Sequence, residues 1–248
     1  MAPASEENTP RSADDDGQGS ETTHPLSGAS VLVAGASGGL GAALAAELHR
    51  RDAVLTLVAR DRDRLDQMAA PGQRVALDLR TPEACAHAVD AAVAHAGQLD
   101  VVVNAVGVVA FGPVADLTVD AMEEVFLTNT FVPIMLAQAA LARMEPGGAL
   151  VNISGVIAEQ NLPGMAVYGA SKAAVRSFDE ALGREARRAK IRVLDARPPH
   201  TETGLAQRPI EGEAPKMPTG LSPDHVATVI CDALEQGVTD LSSTQFTT

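Results

Sequence analysis

The chain has no tryptophan, one tyrosine, two cysteines and only three lysines in 248 residues. With so few aromatic rings the core must be aliphatic, and a hydrophobic content of 46% supplies enough side chains for a substantial one. Cys85 and Cys231 stand far apart and lack the C-x-x-C spacing of a redox pair or zinc site. They are expected to be buried free thiols of a reducing compartment, and no metal site is expected. Basic residues never cluster beyond a pair, and the formal net charge is −13. A polyanion or an anionic bilayer finds no electrostatic footprint here, which argues against nucleic acid and membrane as partners. The longest apolar run, residues 101–115, is interrupted by Asn104, Gly107, Gly112 and Pro113, so it cannot span a bilayer.

Residues 1–27 carry six carboxylates against Arg11, set among Ser, Thr, Pro and Gly. Such a segment cannot bury enough apolar surface to order itself. It is expected to be a disordered, dispensable acidic tail before one domain at 28–248. It has neither the basic start nor the apolar stretch of a secretory signal, and its acidity argues against a mitochondrial transit sequence. A cytoplasmic location is therefore expected.

From residue 30 onward, short β-branched runs alternate with Ala-rich stretches of helical period. Strands are predicted at 31–34, 53–58, 74–77, 99–103, 149–153 and 191–195, with a weaker one at 240–245. Helices are predicted at 39–51, 62–68, 82–96, 119–142, 166–189 and 223–235. This is the pattern of an α/β domain: one doubly wound parallel sheet of about seven strands with helices on both faces, a Rossmann fold. The Pro- and Gly-rich segment 198–221 breaks the rhythm after a strand, where a long loop usually shapes a site.

Directly after the first strand, Gly35, Ser37, Gly38, Gly39, Leu40 and Gly41 form a glycine-rich turn that opens a helix. Missing side chains let the backbone approach a diphosphate, and the free amides and positive helix end stabilise its charge. A side chain at Gly39 is expected to occupy the diphosphate's space. The same turn also reads G-x-S-x-G, the nucleophile elbow of an α/β-hydrolase, although no His and Asp follow at a distinctive spacing. Tyr168 and Lys172 lie four apart on a predicted helix and project from one face. Asn104 and Gly107 close the fourth strand, Asn129 sits inside an apolar helix, Asp78 and Leu79 follow the third strand, and Pro198, Thr201 and Thr203 begin the long loop.

In register over residues 30–235, these motifs resemble the short-chain dehydrogenase/reductase family, whose glycine spacing is the G-x-x-x-G-x-G seen at Gly35, Gly39 and Gly41. The resemblance implies a nicotinamide dinucleotide held by that turn, with Asp78 and Leu79 at the adenine, Asn104 and Gly107 behind the cofactor, and Pro198, Thr201 and Thr203 above it. It implies proton exchange by Tyr168, a phenol pKa lowered by Lys172 and the oxidised nicotinamide, and a relay water kept by Asn129. At the end of the second strand, where NAD-binding relatives carry an acid, stand Ala59 and Arg60. NADP(H) is thus expected over NAD, which the turn itself would also accept. The family's substrate-binding serine falls thirteen positions before the tyrosine, at Gly155; Ser154 is the neighbouring candidate, expected on strand alternation to face the other way. A serine restored at Gly155 is expected to raise turnover. Two readings stay open: an oxidoreductase acting on a small carbonyl or alcohol, and a nucleotide-binding member with weakened or lost catalysis. Val106, Met165, His200 and the 198–221 loop are expected to select the substrate, and long helices apolar on more than one face favour a homodimer or homotetramer.

Overall fold

Strands form where β-branched residues run together: β1 Ser30–Ala34, β2 Val54–Ala59, β3 Gln73–Ala76, β4 Val101–Asn104, β5 Ala149–Ile153, β6 Arg192–Ala196 and β7 Asp240–Leu241. A computed structural model describes residues 25–247 of the chain. All seven strands pair in parallel in the order β3-β2-β1-β4-β5-β6-β7. Every residue of β1 and β4 is buried, as expected of central strands covered on both faces.

The covering helices are α1 Gly39–Arg50, α2 Arg62–Asp66, α3 Pro82–Ala96, α4 Val119–Phe126, α5 Val132–Leu141, α6 Ala166–Ala186 and α7 Pro223–Glu235. One layer of core sets Leu44 and Leu48 of α1 and Ile230 and Leu234 of α7 against the sheet. The opposite layer uses Val89 of α3, Leu136 of α5 and Leu182 of α6. Local chemistry fixes most helix starts. Thr81 and Ser222 cap α3 and α7 by accepting amide hydrogen bonds, each ahead of a proline in the first turn. Helices α1, α5 and α6 start without a side-chain cap, and at α1 the N-cap residue, Gly38, has no side chain to offer.

Three elements depart from the sequence expectation. The helix expected over 119–142 is interrupted by a π-helical turn, Leu127–Phe131, centred on Asn129. Its side chain is drawn sideways into hydrogen bonds, and one wider turn accommodates that displacement. Helix α6 stops at Ala186 and tightens into a 3₁₀ turn, and β7 keeps two residues before Ser243–Phe246 coil into another. The run Val119–Leu141 is long and apolar enough to resemble a membrane span, yet half of its apolar window is buried inside this domain.

The expected tail, residues 1–27, lies outside the described residues up to residue 24. Its last part does not behave as a tail, because Leu26 is 0% exposed and packs with Val31, Val33 and Phe246 in the core. The domain therefore begins at or before Leu26, a boundary that composition averaged over the acidic segment could not resolve. Leu26→Ala should lower unfolding free energy by ~2–5 kcal/mol. Urea denaturation measures it, and an unchanged midpoint would return the boundary to residue 27.

Candidate active site

From β1 the chain winds outward to β2 and β3, then returns across the sheet to β4 and winds the other way. The connections thus diverge at the carboxyl ends of β1 and β4, and the crevice they leave is where α/β sheets bind ligands. The glycine turn enters this crevice. Gly35 takes φ 76° and would bring any Cβ to 2.7 Å from the Ala105 carbonyl oxygen, so only glycine fits between the two strand ends. The amides of Gly39, Leu40 and Gly41 open α1 without intrahelical or capping partners, and their dipole faces the cavity. Gly39 has a different reason from the one expected. A Cβ there would collide with the backbone of Thr203, so its lack of side chain lets the 198–221 loop rest on the turn.

A single cavity of about 590 Å³ runs from this turn past Arg60, Asp78 and Leu79 on one side, and past Gly107, Tyr168, Lys172, Pro198, Thr201 and Thr203 on the other. Five cations line it, Arg60, Arg64, Arg80, Lys172 and Arg208, against two carboxylates, Asp61 and Asp78. In a chain of net charge −13 this local excess of positive charge suits an anionic ligand. Together with the uncapped α1 amides, it makes the residues present fit a dinucleotide with its phosphates at the turn. Arg64, Arg80 and Arg208 were not singled out in the sequence. Arg64 bonds the Ser37 carbonyl from one turn beyond Arg60, and Arg80 chelates Asp78 and reaches Glu124. That pairing holds the Asp78 carboxyl below its ordinary pKa.

Two expected residues stand behind the cavity wall instead of lining it. Asn104 donates to Asn152 Oδ1 (3.1 Å) and accepts from the Val106 amide (3.2 Å), fixing the chain as it leaves β4. Asn129, fully buried, accepts from the Val108 amide at 2.9 Å, and donates to the Val108 carbonyl at 2.9 Å and to Ser171 Oγ at 3.1 Å. Its amide is committed to protein partners and ties the β4 exit to α6. The side chain is therefore a clamp between the β4 exit and α6.

Helix α6 carries Tyr168 and Lys172 into the cavity. Lys172 Nζ donates to the Ile153 carbonyl at 2.7 Å, which anchors it to the end of β5. Burial pulls its ammonium down to about 8, with Asp195 and Asp179 acting the other way. Tyr168 packs among Val109, Phe111, Ile157 and Met165, with part of its surface open to the cavity. Burial pushes its phenol up to about 12, whereas the expected depression includes the charge of the oxidised nicotinamide. The physical reason is desolvation: apolar side chains around the phenol disfavour its charged form.

Ser154 is wholly buried and donates its hydroxyl to Asp195, within a cluster where buried Arg197 pairs with Asp195, Glu159 and Asp240. Its hydroxyl is thus engaged away from the tyrosine. Gly155 adopts φ 83° and ψ 163°, a backbone region open essentially to glycine alone. Space is not the obstacle, since a Cβ there would meet only the Pro198 carbonyl oxygen at 3.9 Å. The amides of Ser154 and Gly155 both donate to the Ala196 carbonyl, at 3.0 and 3.2 Å, and this doubled bond kinks the strand end.

The sequence profile described as short chain dehydrogenase matches residues 29–214. A hydroxynaphthalene reductase of Aspergillus fumigatus is 32% identical over 166 residues, 64% of this chain and 61% of that reductase. A versicolorin reductase of Emericella nidulans is 32% identical over 75% of this chain and 74% of its own length. Among solved structures, a short chain dehydrogenase from Burkholderia cenocepacia in complex with NADP superposes with a TM-score of 0.80. It shares 26% identity and covers 88% of this chain and 97% of its own. One from Burkholderia phymatum in complex with NAD, at 22% identity and a TM-score of 0.79 over 88% of this chain and 89% of its own, shares the fold. By profile, sequence and architecture, the chain belongs to the short-chain dehydrogenase/reductase family.

Proposed function

We propose that this NAD(P)-dependent oxidoreductase moves a hydride between NADP(H) and a small carbonyl or alcohol, with Tyr168 exchanging the proton. The observation that carries the reading is the placement of Tyr168 and Lys172, one turn apart on α6, in the same cavity as the Gly35–Gly41 turn. When bound, the nicotinamide supplies or accepts the hydride. The chain's own groups do the rest. With its pKa near 12 the Tyr168 phenol is protonated at neutral pH, ready to donate to the oxygen of a carbonyl as negative charge develops there. Reductases stand among the relatives.

The preference for NADP(H) rests on charges at the end of β2. Ala59 offers no carboxylate to a ribose hydroxyl, whereas exposed Arg60 lines the cavity and makes no ion pair among the described residues. Asp61 does not neutralise it, being engaged as the N-cap of α2 through the Arg64 amide at 3.0 Å. Arg62 turns instead toward Asp66. A free guanidinium here suits a 2′-phosphate.

A second reading, a nucleotide-binding protein without turnover, draws on Gly155, which offers no side chain to share the substrate oxygen with Tyr168. One absent hydrogen bond costs about 0.5–1.5 kcal/mol and does not by itself abolish catalysis. We also propose a cytoplasmic homodimer or homotetramer, supported by buried free thiols at Cys85 and Cys231 and by apolar Val119 and Phe131, 65% and 54% exposed on the α4–α5 segment.

Tyr168→Phe should lower turnover by ~10²–10⁴-fold while NADPH binding survives; turnover left intact defeats the mechanism. Arg60→Ala should weaken NADP binding by about tenfold or more, with NAD binding nearly unchanged, as titration of the two cofactors would reveal. Gly155→Ser, contrary to the expectation from sequence, should cost ~1–3 kcal/mol of stability and bring no gain in turnover. A faster and equally stable variant would mean that the strand end relaxes to accept a side chain.

A further inference from the structure

At its Tyr168 end the cavity changes character. Around Tyr168 its wall is Val109, Phe111, Ile157, Met165, Leu205 and Ala206, all apolar and packed as one cluster. These side chains come from three separate segments that are stitched together by main-chain hydrogen bonds. The Phe111 amide donates to Glu211 (3.0 Å), the Ile210 amide to Val109 (2.9 Å) and the Gly112 amide to Gly164 (2.8 Å). The apolar wall is therefore part of the folded domain and holds its shape.

Polar groups near this wall already have partners. The hydroxyl of Ser154 is bonded to Asp195, that of Thr201 donates to the Pro199 carbonyl at 2.8 Å, and that of Thr203 accepts from the Leu205 amide at 3.3 Å. Lys172 is held by the Ile153 carbonyl. Arg208 folds back on its own loop, donating to the Gly204 carbonyl at 2.9 Å. Glu202 accepts from the Gly220 amide at 2.8 Å and lies 3.4 Å from His200, and Glu211 points to Thr118. A carboxylate or phosphate set against this wall would lose its hydration, with Lys172 and Arg208 each already donating to a main-chain carbonyl, and a polyol would find few free partners for its hydroxyls.

Given the oxidoreductase reading above, we infer that the substrate is an apolar, uncharged ketone or its secondary alcohol. It is selected by hydrophobic contact with this wall and held by one polar contact, its oxygen on Tyr168. Because no serine shares that contact, orientation falls to the shape of the wall, which favours rigid substrates over flexible ones.

The test compares acetophenone with benzoylformate, which keeps the ring and the carbonyl but adds a carboxylate, using full-length protein and NADPH. Benzoylformate is the more electrophilic ketone, so chemistry alone favours it. The expected result is a kcat/KM at least about tenfold higher for acetophenone, with Leu205→Arg narrowing that ratio by rescuing benzoylformate. Circular dichroism and NADPH affinity report that the variant is folded. In parallel, the melting temperature of protein saturated with NADP is read with each ligand. A stabilising shift by acetophenone alone supports the substrate class even if neither ketone is turned over, an outcome that would overturn the oxidoreductase reading instead. Equal or better use of benzoylformate, or a thermal shift from benzoylformate as large as from acetophenone, overturns the inference. So does the absence of both turnover and thermal shift with acetophenone.

Discussion

The site depends on one constraint of chain tracing: a parallel sheet can be extended from its middle strand in two directions, but the chain must return to the middle to do so. Here it does so between β3 and β4, and β1 and β4 become neighbours whose connections diverge. Among the described residues no helix covers the gap between their carboxyl ends, and the turn after β1 and the loop after β4 meet across it. The contact is close enough that a Cβ on Gly35 would touch Ala105. The positive end of α1 and the catalytic face of α6 can then share one cavity without either helix being strained.

Behind the cavity, buried hydrogen bonds hold the walls to one another. Asn129 ties the β4 exit to α6 through Val108 and Ser171, and Thr130 reinforces it by donating to the Ser171 carbonyl. The π turn around Asn129 is the backbone's accommodation to that clamp. On the other side, Arg197 sits 2% exposed among three carboxylates, where several partners offset the desolvation of one buried cation. Asp195 serves this cluster and also takes the Ser154 hydroxyl, while its main chain continues β6. The side chain nearest to the missing serine position is consequently part of the foundation of β5 and β6, and the strand turns away over a glycine-only conformation.

Much of this was legible in the primary structure because it depends on short-range patterns. Alternation of β-branched and Ala-rich segments located all seven strands and their neighbouring helices, and the motif spacings picked out the glycine turn, Tyr168, Lys172 and further parts of the cavity lining. The misses share a cause, long-range partners. The break at Asn129 requires knowing that Val108 and Ser171 are adjacent, and the burial of Leu26 requires knowing that Phe246 and β1 flank it. The additional arginines escaped notice because Arg64, Arg80 and Arg208 look like ordinary surface charge until the fold turns them to one cavity.

The sequence by itself determined the order of elements, the glycine turn at a helix start and the pairing of Tyr168 with Lys172, since each is encoded within a few consecutive residues or one helical turn. Only the tertiary structure decided the direction in which the tyrosine's pKa moves, the partner that Ser154 serves and the apolar character of the wall facing the phenol. Those properties come from desolvation and from contacts between segments tens of residues apart in the chain, and they come into being only when the sheet brings the segments together.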